Sequence, residues 1–145
     1  MTTLSAAGSH VGKVRANNQD SGYAGEHLFV VADGMGGHAG GDVASALAIQ
    51  SIAHVDRAYE SASDAVQALR SALLEANHEL AETVSAHPEL AGMGTTVSGF
   101  VRIGDRLALA HIGDSRVYRW RDGVLVQVTK DHTFVQRLVD SGRIT

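Results

Sequence analysis

The sequence predicts an α+β domain, and three observations carry that reading. A continuous apolar run, Leu28-Phe29-Val30-Val31-Ala32, has the length and β-branched content of a buried strand. Two stretches with helical spacing follow, from Val43 to His54 and from Asp64 until Pro88. After Gly92-Met93-Gly94 the pattern turns to alternation with turn signals, over 95–101, 106–112, 117–121 and 124–128. Strand, then helices, then a four-strand antiparallel meander is α+β order, not alternating βαβ order.

Each element has a local reason. Residues 4–14 form a weak strand candidate broken by Gly8 and Gly12, and 12–20 is a polar loop that brings Arg15 and Asp20 close together. Asp42 stands where a helix N-cap belongs, and Leu47, Ser51, Ile52 and Val55 share a face. Ser63-Asp64 is a second N-cap signal, Val66, Leu69, Leu73, Leu80 and Val84 form one stripe, and Pro88 stops the helix. His54, His78 and His87, with Glu79 and Glu82, read as solvated helix residues. Asp122-Gly123 is a type I′ hairpin signal between the last two strands. The tail from Thr133 to Ser141 again has helical spacing, with Gly142 as its stop.

Composition narrows the function. At 145 residues the chain suits one domain, with 44% apolar and 19% charged residues. A net charge of −4 argues against nucleic acid as a partner. The absence of cysteine removes disulfides, thiolate metal sites and thiol catalysis. Met1-Thr2-Thr3-Leu4-Ser5 lacks a basic start and an apolar signal core, and no run is long enough to span a bilayer, so a cytoplasmic location is expected. Sixteen glycines against one proline point to tight turns and close backbone approach.

Three carboxylates stand at turns beside glycine or a strand: Asp20, Asp33 in Asp33-Gly34-Met35-Gly36-Gly37-His38, and Asp114 in His111-Ile112-Gly113-Asp114-Ser115-Arg116. Singly each fits a turn or cap residue, and Arg15 with Asp20 fits a solvated loop. Jointly they suggest a site, and without cysteine or paired histidines its metal would be a hard, oxygen-bound cation, Mg²⁺ or Mn²⁺. The glycine loop lacks the alternating acids of an EF-hand, the Gly-Lys-Ser/Thr of a Walker A loop and the spacing of a dinucleotide fingerprint. Ser115 lies in Gly-Asp-Ser-Arg rather than in a nucleophile elbow.

Five segments occur in the same order as in the metal-dependent protein phosphatase family, protein phosphatase 2C. They are Gly12-x-x-Arg15-x-Asn17-Asn18-Gln19-Asp20, Asp33-Gly34-Met35-Gly36-Gly37-His38, Gly92-Met93-Gly94-Thr95-Thr96, His111-Ile112-Gly113-Asp114-Ser115-Arg116 and Thr129-Lys130-Asp131-His132. The chain resembles the bacterial branch that reverses serine/threonine kinases. That resemblance implies a four-layer α-β-β-α sandwich of two antiparallel sheets flanked by helices. It also implies hydrolysis of phosphoserine and phosphothreonine by in-line attack of a hydroxide bridging two Mn²⁺ or Mg²⁺ ions roughly 3.5–4 Å apart. By position, Asp33 would bridge the metals, Gly34 would offer its carbonyl, Asp20 would bind through water, and Asp114 would help hold a third ion. Arg15 would grip the substrate phosphate. The implied partners are phosphorylated proteins, including serine/threonine kinases and their substrates.

Three departures from the family pattern follow. Gln19 replaces a frequent Glu, and Met35 stands where eukaryotic relatives carry a histidine proposed as proton donor, leaving a metal-bound water or His38 as candidates for that role. The later Asp-Gly and Gly-Gly-x-Asp-Asn motifs have no counterpart. Residues 1–145 are therefore expected to be the N-terminal part of a single catalytic domain, lacking its C-terminal strands and exposing sheet edges and apolar surface. The alternative is a non-catalytic relative that binds a phosphoprotein or regulatory partner.

Overall fold

The computed structural model describes residues 4–37 and 39–132. In chain order they form β1 (Asp20–Ala24), β2 (Leu28–Met35), α1 (Gly40–Ala53), α2 (Ala62–Ala86), a 3₁₀ turn (Pro88–Leu90), β3 (Gly94–Thr95), β4 (Val97–Ile103), β5 (Arg106–Ile112), β6 (Tyr118–Arg121) and β7 (Val124–Gln127). One antiparallel sheet runs β1-β2-β4-β5, with β3 on the end of β2, and β6 and β7 form a second, two-stranded sheet. The expected α+β class, two antiparallel sheets with helices, is borne out.

Side chains alternate along β2. Leu28, Val30 and Ala32 are buried towards the helices, whereas Val31, Asp33 and Met35 are exposed on the opposite side. The core joins them to Val97 and Val101 of β4, Ala108 and Ala110 of β5, and Ala48 and Ile52 of α1. Helix α2 contributes Ala65, Leu69, Ala72 and Ala76. The expected stripe on α2 is met in part: Leu69 is buried and Leu73 packs against the core, but Val66 is 44% exposed, and alanines fill the rest of the buried face because small residues let the helices approach closely. Of the face expected around α1, Ile52 and Val55 are fully buried, with Ala44, Ser45 and Ala48 beside them, whereas Leu47 and Ser51 are only half-buried.

Several boundaries differ from expectation. No strand forms over 4–14, and the unexpected strand β1 begins at Asp20. Helix α1 starts earlier than the Asp42 cap implies, because Gly40 and Gly41 let its first turn lie close against Met93 and the Gln19 side chain. The Ser61 hydroxyl, not Ser63, caps α2 by accepting from the Asp64 N–H at 3.1 Å. The meander is interrupted after β5, so its last two strands form their own hairpin. Asp122 and Gly123 there have φ of 52° and 77°, as a type I′ turn requires. The helix expected over the tail from Thr133 lies outside the described residues. No helix among the described residues is long and apolar enough to cross a membrane.

A carboxylate anchors the far end of the β1–β2 hairpin. Asp56, just beyond α1, accepts from the Tyr23 hydroxyl at 2.6 Å and from the N–H groups of His27 at 2.7 Å, Leu28 at 3.1 Å and Glu26 at 3.3 Å. Burial alone would push its pKa up, but the Tyr23 hydroxyl and these backbone donors outweigh it and hold Asp56 below the usual carboxylate range. Gly25 is required there, since a Cβ would overlap the Asp56 carboxylate. The hairpin is thus fixed at the end opposite Asp20 and Asp33.

Candidate metal and phosphate site

Antiparallel pairing places Asp20 of β1 directly opposite Asp33 of β2. Like charges facing each other across a sheet are destabilising, so this pair breaks a local rule that a purely structural strand would respect. The two carboxyl groups are close enough for Asp20 to hydrogen-bond Asp33 when one is protonated. Desolvation, the Asp20 hydrogen bond and the Asp20 and Asp114 charges raise the Asp33 pKa, and the Arg15 charge opposes them. Asp114, on the loop after β5, therefore acts on the same carboxylate through its charge. Arg15, Asp20, Asp33 and Gly34 line one cleft of about 500 Å³, together with His10 and the 16–19 segment.

The backbone around the pair is tightly set. The Gly34 N–H donates to the Gln19 carbonyl at 3.1 Å, and the Ser45 hydroxyl donates to that same carbonyl at 2.8 Å. A Cβ on Gly34 would overlap the Gly41 carbonyl and lie 2.8 Å from the Gln19 oxygen, so only glycine lets β2 pass this close to α1. Thr96 pairs with Asp33 in both directions: its N–H donates to the Asp33 carbonyl, and its Oγ1 accepts from the Asp33 N–H, each at 2.9 Å.

The fourth and fifth motifs dock on one another. Arg116 grips Asp131 with two bonds of 3.0 and 2.8 Å, which hold Asp131 below the usual carboxylate range and raise Arg116 above its own. His132 donates its N–H to the Gly113 carbonyl, and its ring lies 4.7 Å from that of His111. The Nε2 of His111 meets the Lys130 carbonyl at 2.8 Å and so carries the proton, leaving Nδ1 to accept from the Ser98 hydroxyl at 2.7 Å. These contacts fix the loop that carries Asp114.

Of the residues the sequence singles out, Arg15, Asp20, Asp33 and Gly34 come together and Asp114 lies within electrostatic reach. His38 lies outside the described residues. Met35 is 64% exposed and pairs with Gly94 of β3. His54, His78 and His87 are exposed beside Glu75, Glu82 and Glu89, as expected. Sequence reasoning misses His10, which sits in the failed strand candidate, and leaves the Thr96 motif without a task. The donor set suits hard cations: carboxylate oxygens that repel one another until a cation offsets them. Among the described residues no group of three or more His, Asp or Glu side chains is gathered tightly enough to hold a metal by itself.

Residues 7–137 match the family model described as protein phosphatase 2C, and the chain belongs to that family. It is similar to the serine/threonine protein phosphatase PstP of Mycobacterium tuberculosis, 54% identical over 140 residues, which cover 97% of this chain and 27% of that protein. The serine/threonine phosphatase stp of Listeria monocytogenes is 34% identical over 92% of this chain and 56% of its own length. A crystal structure of PstP superposes with a TM-score of 0.91 at 53% identity, over 97% of this chain and 59% of that one. A structure of the PstP catalytic domain in complex with two manganese ions gives 0.88 at 52% identity, over 97% of this chain and 60% of that one. The chain thus spans about a quarter to three-fifths of these relatives.

Proposed function

We propose that the protein is a metal-dependent phosphatase of phosphoserine and phosphothreonine in proteins. The observation that carries this reading is the Asp20–Asp33 pair, set face to face across the sheet beside Arg15. Asp33 and Asp20 would hold two Mn²⁺ or Mg²⁺ ions, with the Gly34 carbonyl as a further oxygen donor and Asp114 serving a third. When bound, such ions would offset phosphate charge and lower the pKa of a water in the cleft. Arg15 would hold two phosphoryl oxygens through its guanidinium fork and present phosphorus to the cleft. Attack by water opposite the ester oxygen breaks the P–O bond and yields inorganic phosphate and the serine or threonine alcohol, with no covalent enzyme intermediate. His38 is the proposed donor of the proton that the leaving oxygen takes up. The partners would be phosphorylated proteins, among them serine/threonine kinases and their substrates, in the cytoplasm.

The lack of a tight three-ligand group among the described residues favours a second reading, a module that binds phosphoproteins without hydrolysis. Phosphate release from a phosphothreonine peptide, with and without Mn²⁺, separates the two. Turnover that needs Mn²⁺ and disappears in Asp33→Ala supports the phosphatase. Metal-independent turnover, or an unchanged Asp33→Ala variant, refutes it, and peptide binding without turnover selects the module.

A further inference from the structure

The Gly92-Met93-Gly94-Thr95-Thr96 motif supplies none of the groups assigned to cation or phosphate, yet Thr96 lies between them. It occupies the break between β3 and β4, where β2 passes from one pairing partner to the other. At that break Thr96 Oγ1 accepts from the Asp33 N–H at 2.9 Å and lies 2.7 Å from the Ser115 hydroxyl. Ser115 directly follows Asp114. The Thr96 methyl faces Gly113, whose φ is +103° and where a Cβ would lie 2.6 Å from Thr96 Cγ2. One small side chain thus touches the backbone of the Asp33 strand and both neighbours of Asp114.

We propose that Thr96 is the positioning residue that ties the Asp33 strand to the Asp114 loop, so that a single hydroxyl sets the relation between two acidic groups of the cation site. This rests on the phosphatase reading for its purpose, but the tie itself is a property of the metal-free protein. A threonine hydroxyl accepts twice and donates once, enough for both contacts. Valine keeps the shape and loses the bonds, whereas serine keeps the bonds and loses the methyl.

Two readouts on the full-length protein test the proposal: exchange of the Asp33 amide proton without metal, and Mn²⁺ affinity by calorimetry. Thr96→Val should speed Asp33 exchange about tenfold. It should also weaken Mn²⁺ binding by about 10–100-fold, the usual effect of removing an outer partner of a ligand. Thr96→Ser should restore both to within a few-fold. Unchanged Mn²⁺ affinity in Thr96→Val, or equal impairment in Thr96→Ser, overturns the proposal. If Thr96→Val does not fold, Ser115→Ala decides, since it cuts only the link to the Asp114 loop: weaker Mn²⁺ binding supports the tie and unchanged binding overturns it. If the wild-type protein binds no Mn²⁺, the cation reading fails separately; faster Asp33 exchange in Thr96→Val then supports the tie, and unchanged exchange overturns it.

Discussion

Substituting Gly34 by alanine tests how closely the site depends on backbone contact. The added Cβ would overlap the Gly41 carbonyl and stand 2.8 Å from the Gln19 carbonyl oxygen. Both obstacles are backbone, so no side chain can swing aside, and β2 must move away from α1. Overpacking of this kind costs about 1–3 kcal/mol. The movement also stretches the 3.1 Å bond from the Gly34 N–H to Gln19, worth about 0.5–1.5 kcal/mol. A loss of about 2–4 kcal/mol corresponds to a fall of about 10 °C in unfolding temperature for a domain of this size. The matched control is Gly37→Ala, where nothing lies within 4 Å of the added Cβ and a change within about 0.5 kcal/mol is expected. Thermal and urea unfolding followed by circular dichroism measure both. Equal stability of Gly34→Ala and Gly37→Ala would refute the reasoning.

Three further outcomes are expected. Asp56→Ala should lose about 1.5–3 kcal/mol in urea unfolding, because four donors share that carboxylate. Since Asp56 is held below its ordinary pKa, its contribution is complete above about pH 4 and fades as pH falls through its lower folded value, a loss that Asp56→Asn should not show in acid unfolding. Asp33 has the opposite sign: its raised pKa means that its charge opposes folding, so Asp33→Asn should melt higher than wild type without metal, with the gap opening as pH rises from about 4. Arg15→Lys should weaken inhibition of peptide hydrolysis by inorganic phosphate about tenfold, because lysine cannot make the bidentate contact, and should leave the unfolding temperature unchanged since Arg15 is exposed.

Much of the fold was legible where pattern and burial agree. The Leu28–Ala32 run, both helices, the Asp122-Gly123 turn and the alternation of β5 all appear as strands, helices and turns in the structure. Strand β1 was not legible, because Asp20-Ser21-Gly22-Tyr23-Ala24 has little strand propensity and is a strand by pairing with β2. The helix faces were legible in part: Ile52, Val55 and Leu69 are buried as expected, but alanines fill the rest of each face, since close helix approach selects size over hydrophobicity. The acidic positions were legible as turn aspartates, but their convergence depended on the β1–β2 register, and the side-chain role of Thr96 depended on a break in the ladder that no local pattern marks.

The central claim is that Asp20 and Asp33 face each other to hold divalent cations. Calorimetric titration of Mn²⁺ into the full-length protein and its Asp33→Asn variant tests it most directly. The account predicts saturable binding at more than one site in the wild type and affinity lowered by about a hundredfold or more in a variant that remains folded. Equal binding by both proteins, or no binding by the wild type, would contradict it.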